Sequence, residues 1–359
     1  MYLRFVILRR PRSRRFLIAC LAVVVMLVVP SLCFAMDSGS DGDVPVSQDA
    51  HQANSLWLVS TRHLPCFPHG SQPVAFRYRR FDFVSNCWVE SNPSAFAAED
   101  NERVPTSVLV PGSPATAQQT RQIGLKAYKR FLPYLSDGNS IRLVIWTWPS
   151  DKVHKRVLKH FRTQATVSEA QGFYLAAFVD QMRPDLRVSL VGYSFGARIV
   201  SGGLHLLGGG TLPTAPSYTR IHPERAPIRA VLLAGAIDDH WLLPGRRYGQ
   251  ALTQVERILV TVNGCDPALQ RYRLVYGLHC SNQAIGYVGL SSPSRLAELG
   301  DRYIELDITN WVGKTHDPEQ HLASEKLVGS VVPLLYFDDV VLDEVVFDDD
   351  VFDEVVAAD

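Results

Sequence analysis

Val188-Ser189-Leu190-Val191-Gly192-Tyr193-Ser194-Phe195-Gly196 is the stretch on which the reading of this chain turns. It runs on through Ala197 to Leu207 and stops at Gly208-Gly209-Gly210. An apolar run of strand character enters a Gly-x-Ser-x-Gly step and leaves it with helical periodicity. A strand that becomes a helix within one residue needs strained backbone at the turn. Glycines on either side let the two chain segments approach. The pattern therefore predicts a sharp elbow with Ser194 at its tip and Gly192 and Gly196 beside it. The helix beginning there turns its free N–H groups and positive dipole end toward the same point. The N–H of Phe195 is the expected donor to an oxygen that gains negative charge there. Gly-x-Ser-x-Gly also occurs in ordinary surface turns; the flanking strand and helix are what single out Ser194 as a nucleophile.

Outward from the elbow, apolar runs alternate with helical segments. Leu56 to Ser60, Ala75 to Asp82, Cys87 to Glu90, Val108 to Val110, Leu143 to Trp148, Arg187 to Val191, Ala230 to Ala234, Ile258 to Asn263 and Tyr303 to Ile308 read as strands. Helices are expected from Gln118 to Leu132, from a cap at Ser168, from Phe195 to Leu207, and from near Pro318 to just before Pro333. This alternation predicts an α/β fold, a mostly parallel sheet with helices on both faces, over residues 56–337.

A serine hydroxyl needs a base, and the base needs an orienting acid. Asp238 and Asp239 follow one strand after the elbow, and Asp266 follows the next. Ile258, Val260 and Val262 alternate along a strand that leads into the turn Asn263-Gly264-Cys265-Asp266-Pro267, which favours Asp266. The other two acids read as a cap ahead of Trp241 and Leu242. Of the later histidines, His205 lies inside the elbow helix, His222 and His240 precede the proposed acid, and His279 sits in an irregular stretch. His316 follows the last strand in the loop Gly313-Lys314-Thr315, which favours it, with His321 as the alternative. A second oxyanion donor is expected after Val108-Leu109-Val110. There Gly112 permits close approach and Ser113 offers an N–H that Pro114 lacks.

The ends of the 359-residue chain hold its charge asymmetry, within a formal net charge of zero. Arg4, Arg9, Arg10, Arg12, Arg14 and Arg15 precede the apolar run Phe16 to Val29, and Cys33-Phe34-Ala35 follows. This reads as a signal peptide over residues 1–35 with cleavage after Ala35, and so as export to the periplasm or beyond. The apolar run is 14 residues, short of the roughly 20 of a spanning helix. Stretched to Ala35 it approaches that length, so an uncleaved membrane anchor stays open. Residues 36–55 read as a flexible linker. Residues 338–359, with ten acids and no base, read as a disordered acidic tail. Nothing between the ends has the basic patch of a nucleic-acid surface. Export would let Cys66, Cys87, Cys265 and Cys280 form two disulfides. Cys66–Cys87 is the favoured pair and Cys265–Cys280 the second, with buried free thiols as the alternative. No cysteine pair has metal-ligand spacing.

With these motifs the chain resembles the α/β-hydrolase superfamily, closest to exported, esterase- and lipase-like bacterial serine hydrolases. The resemblance is carried by Trp57-Leu58-Val59-Ser60-Thr61-Arg62, Val144-Ile145-Trp146-Thr147-Trp148-Pro149-Ser150, Gly192 to Val200, and Asn263-Gly264-Cys265-Asp266-Pro267-Ala268-Leu269. It implies a Ser194, Asp266, His316 triad, no metal or organic cofactor, and a small acyl substrate. Many members of that family carry His-Gly where this chain has Pro111-Gly112. The segment from Asp238 to Gln254, where lids are often inserted, is short. Trp241, Leu242, Leu243 and Pro244 read as a small apolar flap over the site, suited to short-chain esters. A non-catalytic binding protein on the same scaffold, or an envelope interaction module acting through the acidic tail, are the rival expectations.

Overall fold

The computed structural model describes residues 54–70, 74–135, 138–276, 282–292 and 299–337. The export segment 1–35, the linker up to residue 53, the acidic tail 338–359, His279 and Cys280 lie outside the described residues.

Nine strands form one sheet among these residues: β1 Ser55–Ser60, β2 Arg77–Asp82, β3 Cys87–Ser91, β4 Thr106–Val110, β5 Arg142–Thr147, β6 Val188–Tyr193, β7 Ile228–Leu233, β8 Val255–Val262 and β9 Tyr303–Asp307. Their order is β3-β2-β1-β5-β4-β6-β7-β8-β9. β2 is antiparallel to both its neighbours, and every other pairing is parallel. Every residue of β4, β5, β6 and β7 is buried, as a parallel strand covered on both faces requires.

The helices are α1 Pro93–Ala97, α2 Ala117–Phe131, α3 Val157–Asp180, α4 Phe195–Leu207, α5 Ile285–Val288, α6 Thr309–Val312, α7 Pro318–Ala323 and α8 Glu325–Leu335. The β4–α2–β5 crossover steps toward β1, whereas β5–α3–β6 and β6–α4–β7 step toward β9. Right-handed crossovers that step in opposite directions put their helices on opposite faces. Accordingly α3 packs on α4, while α2, α7 and α8 pack together. Thr116 and Gln119 close a capping box on α2, and Ser324 caps α8 by accepting from the Leu327 N–H.

Several sequence expectations change. Ser168 does not start a helix: α3 begins at Val157, and the Ser168 hydroxyl bonds back to the Ala165 carbonyl inside it. The buried positions of its first half include the polar His160, Gln164 and Ser168 beside Ala165 and Val167, so the inward face of its first turns carries little hydrophobic signal. Pro333 lies within α8 instead of after it, and Ser324 divides the expected last helix into α7 and α8. Ser55 belongs to β1 and not to the linker.

Cys66, Cys87 and Cys265 are free and exposed, which removes Cys66–Cys87 and leaves Cys265 without a disulfide partner. The register explains the first. Ser60 pairs with Arg77 and Cys87 pairs with Asp82, so the β2–β3 hairpin carries Cys87 to the sheet edge at which β1 begins. Cys66 follows the edge at which β1 ends. At about 3.3 Å per residue the six-residue strand holds them apart by well over the roughly 7 Å a disulfide tolerates.

Candidate active site

Ser194 sits between β6 and α4 at φ 54°, ψ −117°, a region that costs a non-glycine residue on the order of 1–3 kcal/mol. Hydrogen bonds on both sides hold it there. Its N–H reaches the Leu233 carbonyl at 2.9 Å, and its own carbonyl accepts from Ala197 at 3.0 Å and Ala236 at 3.1 Å. The two elbow glycines are needed for space. A Cβ on Gly192 would lie 2.6 Å from the backbone of Ala197, and one on Gly196 would lie 2.0 Å from the Val110 carbonyl oxygen.

That second contact brings the loop after β4 against the elbow. A Cβ on Gly112 would meet the Ser194 Cβ at 2.9 Å, so Pro111-Gly112-Ser113 runs directly past the Ser194 hydroxyl. The loop is held through its carbonyls and its hydroxyl. Trp148 Nε1 donates to the Pro111 carbonyl at 2.9 Å, and Ser113 Oγ donates to the Ser150 carbonyl at 2.9 Å. Phe195, as the first residue of α4, has an N–H with no acceptor inside the helix.

Asp266 lies past the end of β8 and is fully buried. Its Oδ1 accepts from the N–H groups of Ala268 at 2.8 Å and Leu269 at 3.0 Å. Its Oδ2 lies 2.6 Å from His316 Nδ1, and His316 Nε2 lies 2.9 Å from Ser194 Oγ. A carboxylate only accepts, so the His316 proton sits on Nδ1 and Nε2 is left as an acceptor facing the serine. Asn263 Nδ2 donates to the Gly313 carbonyl at 2.9 Å and ties the turn bearing Asp266 to the loop bearing His316. Ser194, Asp266 and His316 thus come from three separate loops at the carboxyl edge of the sheet and meet in one hydrogen-bonded series.

The alternatives stand elsewhere. Asp238 accepts from the Tyr272 hydroxyl at 2.6 Å and from Asn282, and burial pushes its carboxyl upward. It is a buried network member and not a helix cap. Asp239 pairs with His240, and His222 pairs with Glu224. His205 accepts from the Gln250 N–H inside the packed elbow helix. His321, one turn into α7, donates from Nδ1 to the Asp317 carbonyl at 2.9 Å, and burial pushes its imidazole downward, which favours the neutral form. Tyr193 is raised well above the usual phenol range, by burial first and by Asp266 and Asp317 next, and remains a neutral phenol.

A cleft of about 360 Å³ opens at Ser194 and His316. Its walls are apolar side chains of α2, α7 and α8, among them Ile123, Phe131, Leu322 and Val331. The expected flap is not among them. Trp241 and Leu242 are buried, and the Trp241 ring lies 4.7 Å from the Arg198 guanidinium and 4.8 Å from that of Arg247. Cation–π attraction to a buried arginine draws the segment onto α4 and away from the cleft. Sequence reasoning missed Trp148, Asn263 and the α2–α8 wall. The indole of Trp148, immediately before the Pro149-Ser150 turn after β5, was the available sign of a polar anchor. Among the described residues no cluster of potential metal ligands occurs, and no helix is long and apolar enough to cross a membrane.

No protein-family model and no curated protein matches the chain. Among solved structures it is similar to Zea mays acyl-protein thioesterase 2, at 14% identity and TM-score 0.34 over 65% of this chain and 96% of that one. It is similar to a lipase-esterase related protein from Clostridium acetobutylicum, at 13% identity and TM-score 0.32 over 66% of this chain and 96% of that one. An inhibited esterase B from Lactobacillus rhamnosis matches at 10% identity and TM-score 0.35 over 81% of this chain and 90% of that one. The fold assignment rests on the chain's own topology. A mostly parallel sheet with β4 and β5 exchanged, helices on both faces and a strand–Ser194–helix elbow at its carboxyl edge give this chain the α/β-hydrolase fold.

Proposed function

We propose that this protein is a serine hydrolase of acyl esters, with Ser194 as nucleophile, His316 as general base and acid, and Asp266 as the orienting carboxylate. The observation that carries the reading is the continuous series from Ser194 Oγ to His316 Nε2 at 2.9 Å and from His316 Nδ1 to Asp266 at 2.6 Å. In the first step Oγ attacks the acyl carbonyl carbon as its proton passes to Nε2, and the carbonyl oxygen becomes an oxyanion. The N–H groups of Phe195 and Ser113 are the proposed donors to that oxyanion. His316 then gives its proton to the departing alkoxide, which leaves as an alcohol. Water, deprotonated by the same Nε2, attacks the acyl-enzyme and releases the acid. Asp266 stays ionised throughout and stabilises the imidazolium.

The apolar cleft supports an acyl substrate, since its volume of about 360 Å³ lies within the roughly 300–1,000 Å³ of ligand pockets. Export, with the first 35 residues removed, belongs to the same proposal and is supported by the basic and apolar sequence of that segment. N-terminal sequencing of secreted protein checks it: the mature chain begins at Met36. The catalytic reading is tested with a fluorophosphonate probe and with p-nitrophenyl esters of graded chain length. Wild type is labelled at Ser194 and hydrolyses the esters, and Ser194→Ala does neither. A folded wild type that the probe leaves unlabelled would overturn the proposal.

A further inference from the structure

A second cleft, of about 280 Å³, opens on the face of the sheet that carries α3 and α4, between those helices and the loops after β7 and β8. Three arginines line it, Arg162, Arg198 and Arg247, against one carboxylate, Glu169. Glu169 is spent on Arg247, which it holds with both oxygens, Oε2 at 2.7 Å from Nη2. Among the described residues neither Arg162 nor Arg198 forms an ion pair. Arg162 donates to the Val275 and Leu274 carbonyls.

Arg198 is the unusual member. It is buried at 3% exposure, and every group it donates to is neutral: the Tyr272 hydroxyl at 2.7 Å, the Tyr276 hydroxyl at 2.6 Å, and the Ala236 and Ala165 carbonyls at 3.3 Å and 3.4 Å. Asp238 reaches it only through Tyr272. Arg198 Nε and the hydroxyl of Thr214, another residue of the cleft, are buried without a hydrogen-bond partner. A desolvated guanidinium that has hydroxyls in place of a carboxylate is under-compensated, and a planar two-oxygen anion is the group whose geometry matches its fork. The remaining wall, formed by Trp241, Tyr276 and Val275, is apolar and aromatic.

We propose that this cleft binds a small organic carboxylate, its charge held between Arg162 and Arg198 and its apolar body against Trp241 and Tyr276. One buried and otherwise unpaired cation matches one negative charge. The aromatic wall matches a ring or short chain better than a hydrated inorganic ion. The site does not contain Ser194, so it stands or falls independently of the proposed hydrolysis.

The test is calorimetric titration of the full chain with sodium benzoate at constant ionic strength. Inorganic phosphate and benzyl alcohol are the comparison probes. Thr166→Asp, at an exposed position of the cleft, adds a negative charge without touching the core, and Arg162→Gln removes the exposed cation. Ile123→Trp fills the other cleft, beside Ser194. Benzoate binds at one saturable site, benzyl alcohol does not bind, Thr166→Asp and Arg162→Gln weaken benzoate at least ten-fold, and Ile123→Trp leaves it unchanged. Melting curves of the variants without ligand check that each is folded. Absence of saturable benzoate binding overturns the proposal. Binding that survives Thr166→Asp but is lost in Ile123→Trp places the carboxylate beside Ser194 and also overturns it. Phosphate binding without benzoate binding overturns the assignment of an organic carboxylate.

Discussion

Asp266→Asn is the substitution whose outcome the geometry constrains most. The aspartate Oδ1 accepts two backbone N–H bonds, from Ala268 at 2.8 Å and Leu269 at 3.0 Å, and Oδ2 faces His316 Nδ1 at 2.6 Å. An asparagine of the same shape has one oxygen and one NH₂ for these two places. Its oxygen is expected to stay with the two N–H groups. The flipped amide would face two donors with a donor and leave both N–H groups unpaired, at about 1–3 kcal/mol each. A preference of about 2–6 kcal/mol corresponds to roughly 30-fold or more in favour of the first orientation. The NH₂ then points at His316 Nδ1, which has to give up its proton and accept. The imidazole proton moves to Nε2, and an N–H instead of a lone pair faces Ser194. Such a base cannot take the serine proton. The expected loss is on the order of 10⁴ in kcat, about 5.5 kcal/mol, the size known for this change of tautomer in serine proteases. Ester hydrolysis and the rate of fluorophosphonate labelling measure it. The melting temperature should stay within a few degrees of wild type because every backbone bond is kept. A folded Asn variant within ten-fold of wild-type activity would refute the reasoning about orientation and tautomer.

Gly196→Ala forces a Cβ to within 2.0 Å of the Val110 carbonyl oxygen. Overpacking of this kind costs about 1–3 kcal/mol, and calorimetry should show a fall of several degrees together with slower labelling of Ser194. Trp148→Phe leaves the buried Pro111 carbonyl without its donor at 2.9 Å. Stability should fall by about 1–3 kcal/mol, and kcat should fall by no more than the order of 10²–10³ that loss of one oxyanion donor costs. A kcat equal to that of wild type would argue against Trp148 as the anchor of that loop. Burial lowers the His321 imidazole below its ordinary value. A lowered folded-state value means that its contribution to stability is complete above the unfolded value of about 6.5 and is lost as pH falls through the folded one. Melting temperature should therefore drop between pH 7 and pH 5, and the drop should be shallower in His321→Gln; equal slopes would sink the idea.

What the sequence made legible follows from how local each constraint is. At Gly192 the constraint is local, since the contact that forbids a Cβ comes from Ala197; at Gly196 it comes from Val110 on β4, yet Gly-x-Ser-x-Gly records both as glycines. Asp266 was legible because the alternation of Ile258, Val260 and Val262 marks where β8 ends. His316 was readable from chain order, since the loop after β9 is the last that returns to that edge. Nonlocal features were not legible. The separation of Cys66 from Cys87 depends on the β2–β3 register. The start of α3 was hidden because its inward positions include His160 and Gln164, which a search for apolar periodicity passes over. The place of Trp241 depends on Arg198, a charge that the helix carries into the interior.

The replacement of His-Gly by Pro111-Gly112 looks different once the loop is seen in place. Proline has no N–H, so at Pro111 itself the chain can be held only through an acceptor. Further along the loop the holding runs both ways: Ser113 Oγ and the Ala115 N–H donate to the Ser150 carbonyl at 2.9 Å and 3.0 Å. The Pro111 carbonyl accepts from Trp148 Nε1 at 2.9 Å, and the Ala115 carbonyl accepts from Ser150 Oγ at 2.8 Å and from Arg62 at 2.8 Å. Arg62 is itself fixed by Thr147, at 2.6 Å from Nε, and by an ion pair with Asp151. The donors stand just past the ends of β1 and β5, within Trp57 to Arg62 and Val144 to Ser150, the two stretches that carried the resemblance beside the elbow. Those stretches therefore bear on the chemistry without supplying a reacting group. They hold the loop that bears Ser113 beside Ser194, through Trp148 and Ser150 past the end of β5 and Arg62 past the end of β1.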